Sequence, residues 1–85
     1  MPYEIRFKKS AFKEFEKLSL NIQQNLANDI AQLADNPRPS GCKKLKGVKN
    51  SWRIRNGDYR VIYTIEDHIL MIEIIKIAHR REVYE

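Results

Sequence analysis

WRIRNGDYRVIY, Trp52 to Tyr63, sets two alternating runs on either side of an Asn-Gly pair. Asn56-Gly57 is the strongest short-range hairpin signal a sequence carries, because a two-residue type I′ turn needs positive φ at both central positions. With those two as the turn, Arg55 pairs with Asp58, Ile54 with Tyr59, Arg53 with Arg60, and Trp52 with Val61. Side chains of paired residues share a face and alternate along each strand. Trp52, Ile54, Tyr59 and Val61 then form an apolar face, and Arg53, Arg55 and Arg60 occupy the other. Arg53 would stand directly opposite Arg60, a like-charge pairing that costs about 0.2–1 kcal/mol. Folding alone does not ask for it. Either the arginines are a solvated face balanced by Asp58 and Glu73, or they form an anion site, since each guanidinium is a planar donor fork that fits phosphate oxygens and keeps its charge.

Outward from the hairpin, the chain divides into helical and strand periods. Tyr3, Ile5 and Phe7 alternate with Glu4, Arg6 and Lys8, the pattern of a strand with one buried face. Ser10 can cap a short helix with an apolar stripe of Ala11, Phe12, Phe15 and Leu18. Ser19 or Asn21 can cap a second, in which Ile22, Leu26, Ile30 and Leu33 recur until NPRPSG, Asn36 to Gly41, ends it. Strands follow around Lys44 to Lys46, Ser51 to Arg55, Asp58 to Glu66 and Ile69 to Ala78, with Asp67-His68 as a further turn. The long apolar run in the last of these suits a central strand covered on both faces. The expected fold is α+β, β-α-α-β-β-β with one extra short strand: two N-terminal helices packed on one face of a small, mostly antiparallel curved sheet.

Eighty-five residues fit a single domain, 1–85, and a chain this short buries only about 60–65% of its unfolded surface. Composition is ordinary for a globular protein, at 42% hydrophobic and 32% charged, and no apolar run approaches the ~20 residues of a membrane span. MPYEIRFKKS has neither the apolar core nor the cleavage site of a signal peptide, so a cytoplasmic location without membrane attachment is expected. Cys42 is the sole cysteine, which fits a reducing compartment and leaves no metal site or cofactor to expect. The formal charge of +5 is concentrated: Arg38, Lys43, Lys44, Lys46, Lys49, Arg53, Arg55 and Arg60 are interrupted by one acid, Asp58. Such a segment attracts phosphate or acidic protein. Trp52, Tyr59 and Tyr63, at alternating strand positions, read as core residues rather than base-stacking platforms. At the C-terminal end, AHRREVYE delivers His79, Arg80, Arg81, Glu82 and Tyr84 within six residues.

YEIRFKKSAFKEFEKL, KKLKG at Lys43 to Gly47, WRIRNGDYRVIY and HRREVY at His79 to Tyr84 together resemble the RelE family of toxin-antitoxin systems, within the wider RelE/ParE superfamily. The resemblance spans nearly the whole chain. It implies a ribosome-dependent endoribonuclease, an mRNA interferase that cuts mRNA in the A site and is restrained by a cognate antitoxin, a small acidic protein. Metal-independent cleavage means attack by the 2′-hydroxyl on the adjacent phosphate. The nucleophile must be aligned and deprotonated, the phosphoryl charge stabilised and the 5′-oxygen protonated. Carried over by motif, Arg53 and Arg55 fall near the scissile phosphate, Arg60 stabilises it, Arg80 serves the leaving group, and Tyr84 orients or stacks on substrate. Lys44, Lys46 and Arg81 resemble RNA-binding positions. Some RelE proteins carry lysine where this chain has Arg55, and arginine cannot act as a base. Histidine is the residue type whose unperturbed pKa, about 6.5, lies nearest neutrality, so His79 is the expected holder or sharer of that role, with Tyr84 or a ribosomal group as rivals. The alternative on the same fold is a ParE-like toxin that binds DNA gyrase without nuclease chemistry.

Overall fold

The computed structural model describes residues 2–79. Its sheet begins with β1, Glu4–Phe7, whose alternation buries Tyr3, Ile5 and Phe7 by half while Glu4 and Arg6 remain exposed. Two helices follow, α1 at Lys9–Glu16 and α2 at Leu20–Leu33, and then four strands: β2 at Lys43–Lys44, β3 at Ser51–Asn56, β4 at Tyr59–Glu66 and β5 at Met71–His79. The order across the sheet is β1-β5-β4-β3-β2, antiparallel except for the parallel pair of β1 and β5. The α+β fold with both helices on one face and one extra short strand is therefore the observed one.

Periodicity explains which residues meet. Leu26, Ile30 and Leu33 from α2 and Ala11 from α1 close on Ile54, Val61, Tyr63, Ile65, Ile72, Ile74 and Ile77 of the sheet, forming one core. Each such aliphatic side chain contributes about 1.5–3 kcal/mol by leaving water. Trp52 and Tyr59 pack against the core and Tyr63 is fully inside it, so all three aromatics act as core residues. The Tyr63 hydroxyl donates to the Pro37 carbonyl at 2.7 Å, and burial, with Cys42 adding to it, pushes its pKa well up. Cys42 is accordingly half-buried and packs beside the core.

Local corrections have physical causes. α1 starts at Lys9 after an N-cap Lys8 with no side-chain cap, so Ser10 lies inside the helix, whereas Ser19 does cap α2, its Oγ accepting from the Ile22 N–H at 3.4 Å. Of the α1 stripe, Phe12 stays largely exposed, stacking at the rim on Phe15 at 6.4 Å. The short strand is Lys43–Lys44, after which the chain turns through left-handed residues Gly47 and Asn50. The β4–β5 connection is a 3-10 turn over Asp67–Ile69 closed by left-handed Leu70, longer than a two-residue turn, and Leu70 also accepts the Glu4 N–H at 2.8 Å. β5 is interior to the sheet, but its continuous apolar run comes chiefly from a bulge. Tyr63 pairs with Ile74 and Ile62 with Lys76, leaving Ile75 as the extra residue. The alternation therefore changes phase, and Ile72, Ile74 and Ile77 all face the helices.

The loop after α2 is held by a polar clamp. Arg38 reaches Asp67 through two nitrogens, at 2.8 and 3.3 Å, and lies over the Trp52 ring at 5.1 Å, while the Tyr3 hydroxyl donates to Asp67 at 2.6 Å. The Arg38 bonds first, then the Tyr3 bond, hold the Asp67 carboxyl below its usual pKa, and the same bond raises that of Tyr3. Arg38 is thus committed to the fold and leaves the basic footprint assigned to it from sequence.

Candidate phosphate-binding face

The β3–β4 hairpin closes one residue later than Asn56-Gly57 would have it. Gly57 and Asp58 form the turn, Gly57 alone taking positive φ at 58°, which is the II′ pattern with glycine first. Asn56 is kept in the strand, paired with Tyr59, because its Nδ2 donates to Asp29 Oδ2 on α2 at 2.6 Å. Every partner on β4 therefore slips by two residues. Arg55 pairs with Arg60, Ile54 with Val61, Arg53 with Ile62 and Trp52 with Tyr63. Arg53 and Arg60 become diagonal neighbours, about 7–8 Å apart between backbones, and the opposed like charges are Arg55 and Arg60.

A slip of two preserves the faces. Arg53, Arg55 and Arg60 still share the side away from the helices, where two cross-sheet rows form. One runs Lys43, Arg53, Ile62, Lys76, and the next Arg55, Arg60, Ala78. Lys43 thus joins the arginines, a membership that only the β2–β3 register reveals. Arg53 is 5% exposed and Arg60 half-buried, both with Nε shut off from solvent, while Arg55 is open to it. Both of the covered arginines engage other groups of the chain. Lys76 starts in the first row but curls to α1, its Nζ 3.4 Å from Glu14 Oε2, as the other Glu14 oxygen accepts the Ile77 N–H at 3.0 Å.

Acids of the sheet's outer face gather at its other end. Glu73 pairs with Thr64, about 13 Å along β4 from Arg60 at roughly 3.3 Å per residue, so it cannot balance that arginine by direct contact. Asp58 sits in the turn with its Oδ2 3.9 Å from His79 Nε2. The result is a face with a cationic end near the turn, lined by fixed guanidinium donors, suited to hold a phosphodiester and to stabilise added charge on it.

The other expected site residues divide. Lys44 is exposed but pairs with Trp52, on the opposite side of its strand from Lys43, and Lys46 is exposed in the connection that follows. His79 pairs with Tyr59, their rings edge to face at 5.3 Å. That register turns its ring to the helix side, away from the arginines. Arg80, Arg81 and Tyr84 lie outside the described residues. Among the described residues no group of three or more His, Cys, Asp or Glu side chains could hold a metal ion, and no helix is long and apolar enough to cross a membrane.

Two helices over one side of a five-stranded sheet, with fixed cations gathered on the other, define a small α+β domain with a basic sheet face. The chain belongs to the RelE family of type II toxins. The family model that it matches, over residues 5–84, is described as the ParE toxin of the type II toxin-antitoxin system parDE. It is 35% identical over 83 residues to a putative RelE-like toxin protein of Escherichia coli, covering 94% of this chain and 85% of that one. The mRNA interferase toxin RelE of Escherichia coli strain K12 is 28% identical over 88 residues, with 99% and 92% covered. Among solved structures, the archaeal RelE–RelB complex from Pyrococcus horikoshii OT3 superposes with a TM-score of 0.85 at 27% identity, covering 98% of this chain and 100% of that one.

Proposed function

We propose that the chain is an mRNA endonuclease acting in the ribosomal A site. The observation that carries this reading is the clustering of Arg53, Arg55 and Arg60, with Lys43, on one sheet face. The phosphodiester to be cut rests on these cations. The 2′-oxygen attacks the adjacent phosphorus, the bond to the 5′-oxygen breaks, and a 2′,3′-cyclic phosphate and a 5′-hydroxyl result. Arg53, Arg55 and Arg60 stabilise the charge that builds on the phosphoryl oxygens. Arg80 hydrogen-bonds the departing 5′-oxygen and offsets its charge while water supplies the proton, Tyr84 orients the nucleotide, and Lys44, Lys46 and Arg81 hold the RNA backbone.

His79 is the weakest member of the set, because its register points it to Tyr59. The proton of the 2′-hydroxyl goes instead to a group that the ribosome supplies or to Tyr84 in its phenolate form, and His79→Ala is expected to leave cleavage unchanged. The named mRNA interferase relative supports the nuclease reading, and the RelE–RelB complex supports a cognate antitoxin as partner, a small acidic chain suited to the basic surface. Ribosomes as partner imply action in the cytoplasm.

The test is translation of a short message on purified ribosomes with the wild-type chain, Arg60→Ala and Tyr84→Ala. Cleavage within codons that needs ribosomes and is lost in both variants is the expected result. The ParE description of the matching family favours a second reading, a gyrase-binding toxin with no nuclease step. Intact mRNA together with DNA damage after induced expression would select it.

A further inference from the structure

Beside the cationic face lies a cleft of about 510 Å³, within the size range of small-ligand sites. It opens where the sheet edge is uncovered. β2 pairs with Trp52 and Arg53, and among the described residues β3 from Ile54 onward has no neighbouring strand on that side. Backbone bonds alternate between the two neighbours of a strand, and with Asn56 and Tyr59 closing the turn, Arg55 directs its N–H and C=O away from β4, toward this cleft. Asp29 and Gln32, one helical turn apart on α2, line the cleft together with Ser40. Lys43 and Arg55, both members of the cationic rows, line it as well.

A carboxylate here is unexpected if the cleft served only to attract a polyanion. Asp29 is half-buried, and one of its oxygens accepts from Asn56 Nδ2 at 2.6 Å. A carboxylate accepts up to about four bonds, so Asp29 retains acceptor capacity toward the cleft. Gln32, exposed, offers a donor and an acceptor beside it. An acceptor next to an adaptable amide is the complement of a nucleobase edge bearing an exocyclic amine. Cytosine and adenine present an amino donor next to a ring acceptor, and guanine an amino donor next to a ring N–H. Uracil in the same pose places a carbonyl where the amine would be, against the carboxylate, and must shift across the cleft to bring its one ring N–H to Asp29.

We propose that this cleft is a base-reading subsite that accepts an amino-bearing nucleobase and rejects uracil. It rests on the RNA reading given above. A nucleotide whose phosphate lies on Lys43 and Arg55 turns its base across the open β3 edge. Asp29 accepts from the amine and Gln32 pairs with the ring nitrogen. The plain structural role of Asp29, tying α2 to the hairpin through Asn56, predicts no such discrimination.

Cytidine and uridine 5′-monophosphates are the sharpest probes, since they differ at the amine. Amide chemical shifts of the full chain are followed during titration with each. The expected result is movement at Asp29, Gln32 and Ser40 with the cytidine nucleotide, and binding of the uridine nucleotide about tenfold weaker. Asp29→Asn and Gln32→Leu should bring the two together while both still bind through phosphate. Because Asp29→Asn also alters the tie to Asn56, Gln32→Leu, at an exposed helix position, serves as the variant whose fold is not in question. Equal binding of both nucleotides by the wild type, or shifts confined to Arg55 and Arg60, overturns the subsite. Discrimination by the wild type that is lost in Gln32→Leu supports it whether or not the chain cuts mRNA. Absent cleavage with discrimination intact counts against the nuclease reading alone.

Discussion

Replacing Arg55 should make the protein more stable and less able to handle RNA. Arg55 and Arg60 face each other across β3 and β4, and Arg55 is exposed, so its removal opens no cavity. Directly opposed like charges cost about 0.2–1 kcal/mol, and opposed unlike charges contribute a similar amount. Arg55→Gln, which keeps the length and loses the charge, should therefore gain about 0.2–1 kcal/mol, and Arg55→Glu roughly twice that. In a domain of this size each kcal/mol shifts the melting temperature by about 4–8 °C, so the first variant should melt roughly 1–8 °C higher. Melting followed by circular dichroism at low salt, about 10 mM, gives the ordering Glu above Gln above wild type. At about 1 M salt the Debye length falls to about 3 Å and the differences should shrink. On RNA the order reverses. Each lost phosphate contact on a single strand reduces the salt slope of binding by about 0.7, and loss of one transition-state donor costs about 10²–10³ in rate. A wild type that melts at or above Arg55→Gln at low salt would refute the observed register and with it the crowding of charge at the turn. Equal cleavage by both would remove Arg55 from the site.

Tyr63→Phe removes a hydroxyl that donates to the Pro37 carbonyl from a fully buried ring, and should cost about 1 kcal/mol in urea unfolding without altering cleavage. The same ring sets an alkaline limit: its folded pKa is raised, so the stability it contributes is full below the unfolded value near 10 and declines as pH climbs above it, a limb that Tyr63→Phe should flatten. Asp67 behaves oppositely. Its pKa is lowered by Arg38 and Tyr3, so the clamp's contribution is present above the unfolded value near 4 and lost as pH falls through the folded one, and Asp67→Asn should melt with a weaker acid dependence than the wild type.

Legibility followed the range of the interaction. Strand and helix periods are local, so β1, α2 and the α+β order could be read from Ile5, Leu26 or Ile54 alone, and the fold of the family followed. The Ser19 cap was equally local. What escaped depends on distant partners. Asn56 carries the local signature of a turn residue, yet its amide binds Asp29, 27 positions earlier, and that bond holds it in the strand. Arg38 counts as surface charge until Asp67, from another turn, appears beside it. The Ile74-Ile75 doublet is indistinguishable by composition from a strand buried on both faces, and only pairing with Tyr63 and Ile62 shows it to be a bulge.

The arginine face was nevertheless legible through a wrong register, and the reason is geometric. A hairpin turn moved by one residue along the chain displaces each cross-strand partner by two, which returns every side chain to the face it had before. Which residues share a face is therefore robust to the commonest error in placing a two-residue turn, whereas which residues oppose one another is not. The like-charge contact passes from Arg53 and Arg60 to Arg55 and Arg60. It thereby moves from a buried arginine to an exposed one, next to the uncovered β3 edge and the Asp29 cleft. A phosphate on this face would relieve that repulsion, and so would bind most strongly at the row nearest the turn, where Arg55 and Arg60 oppose each other.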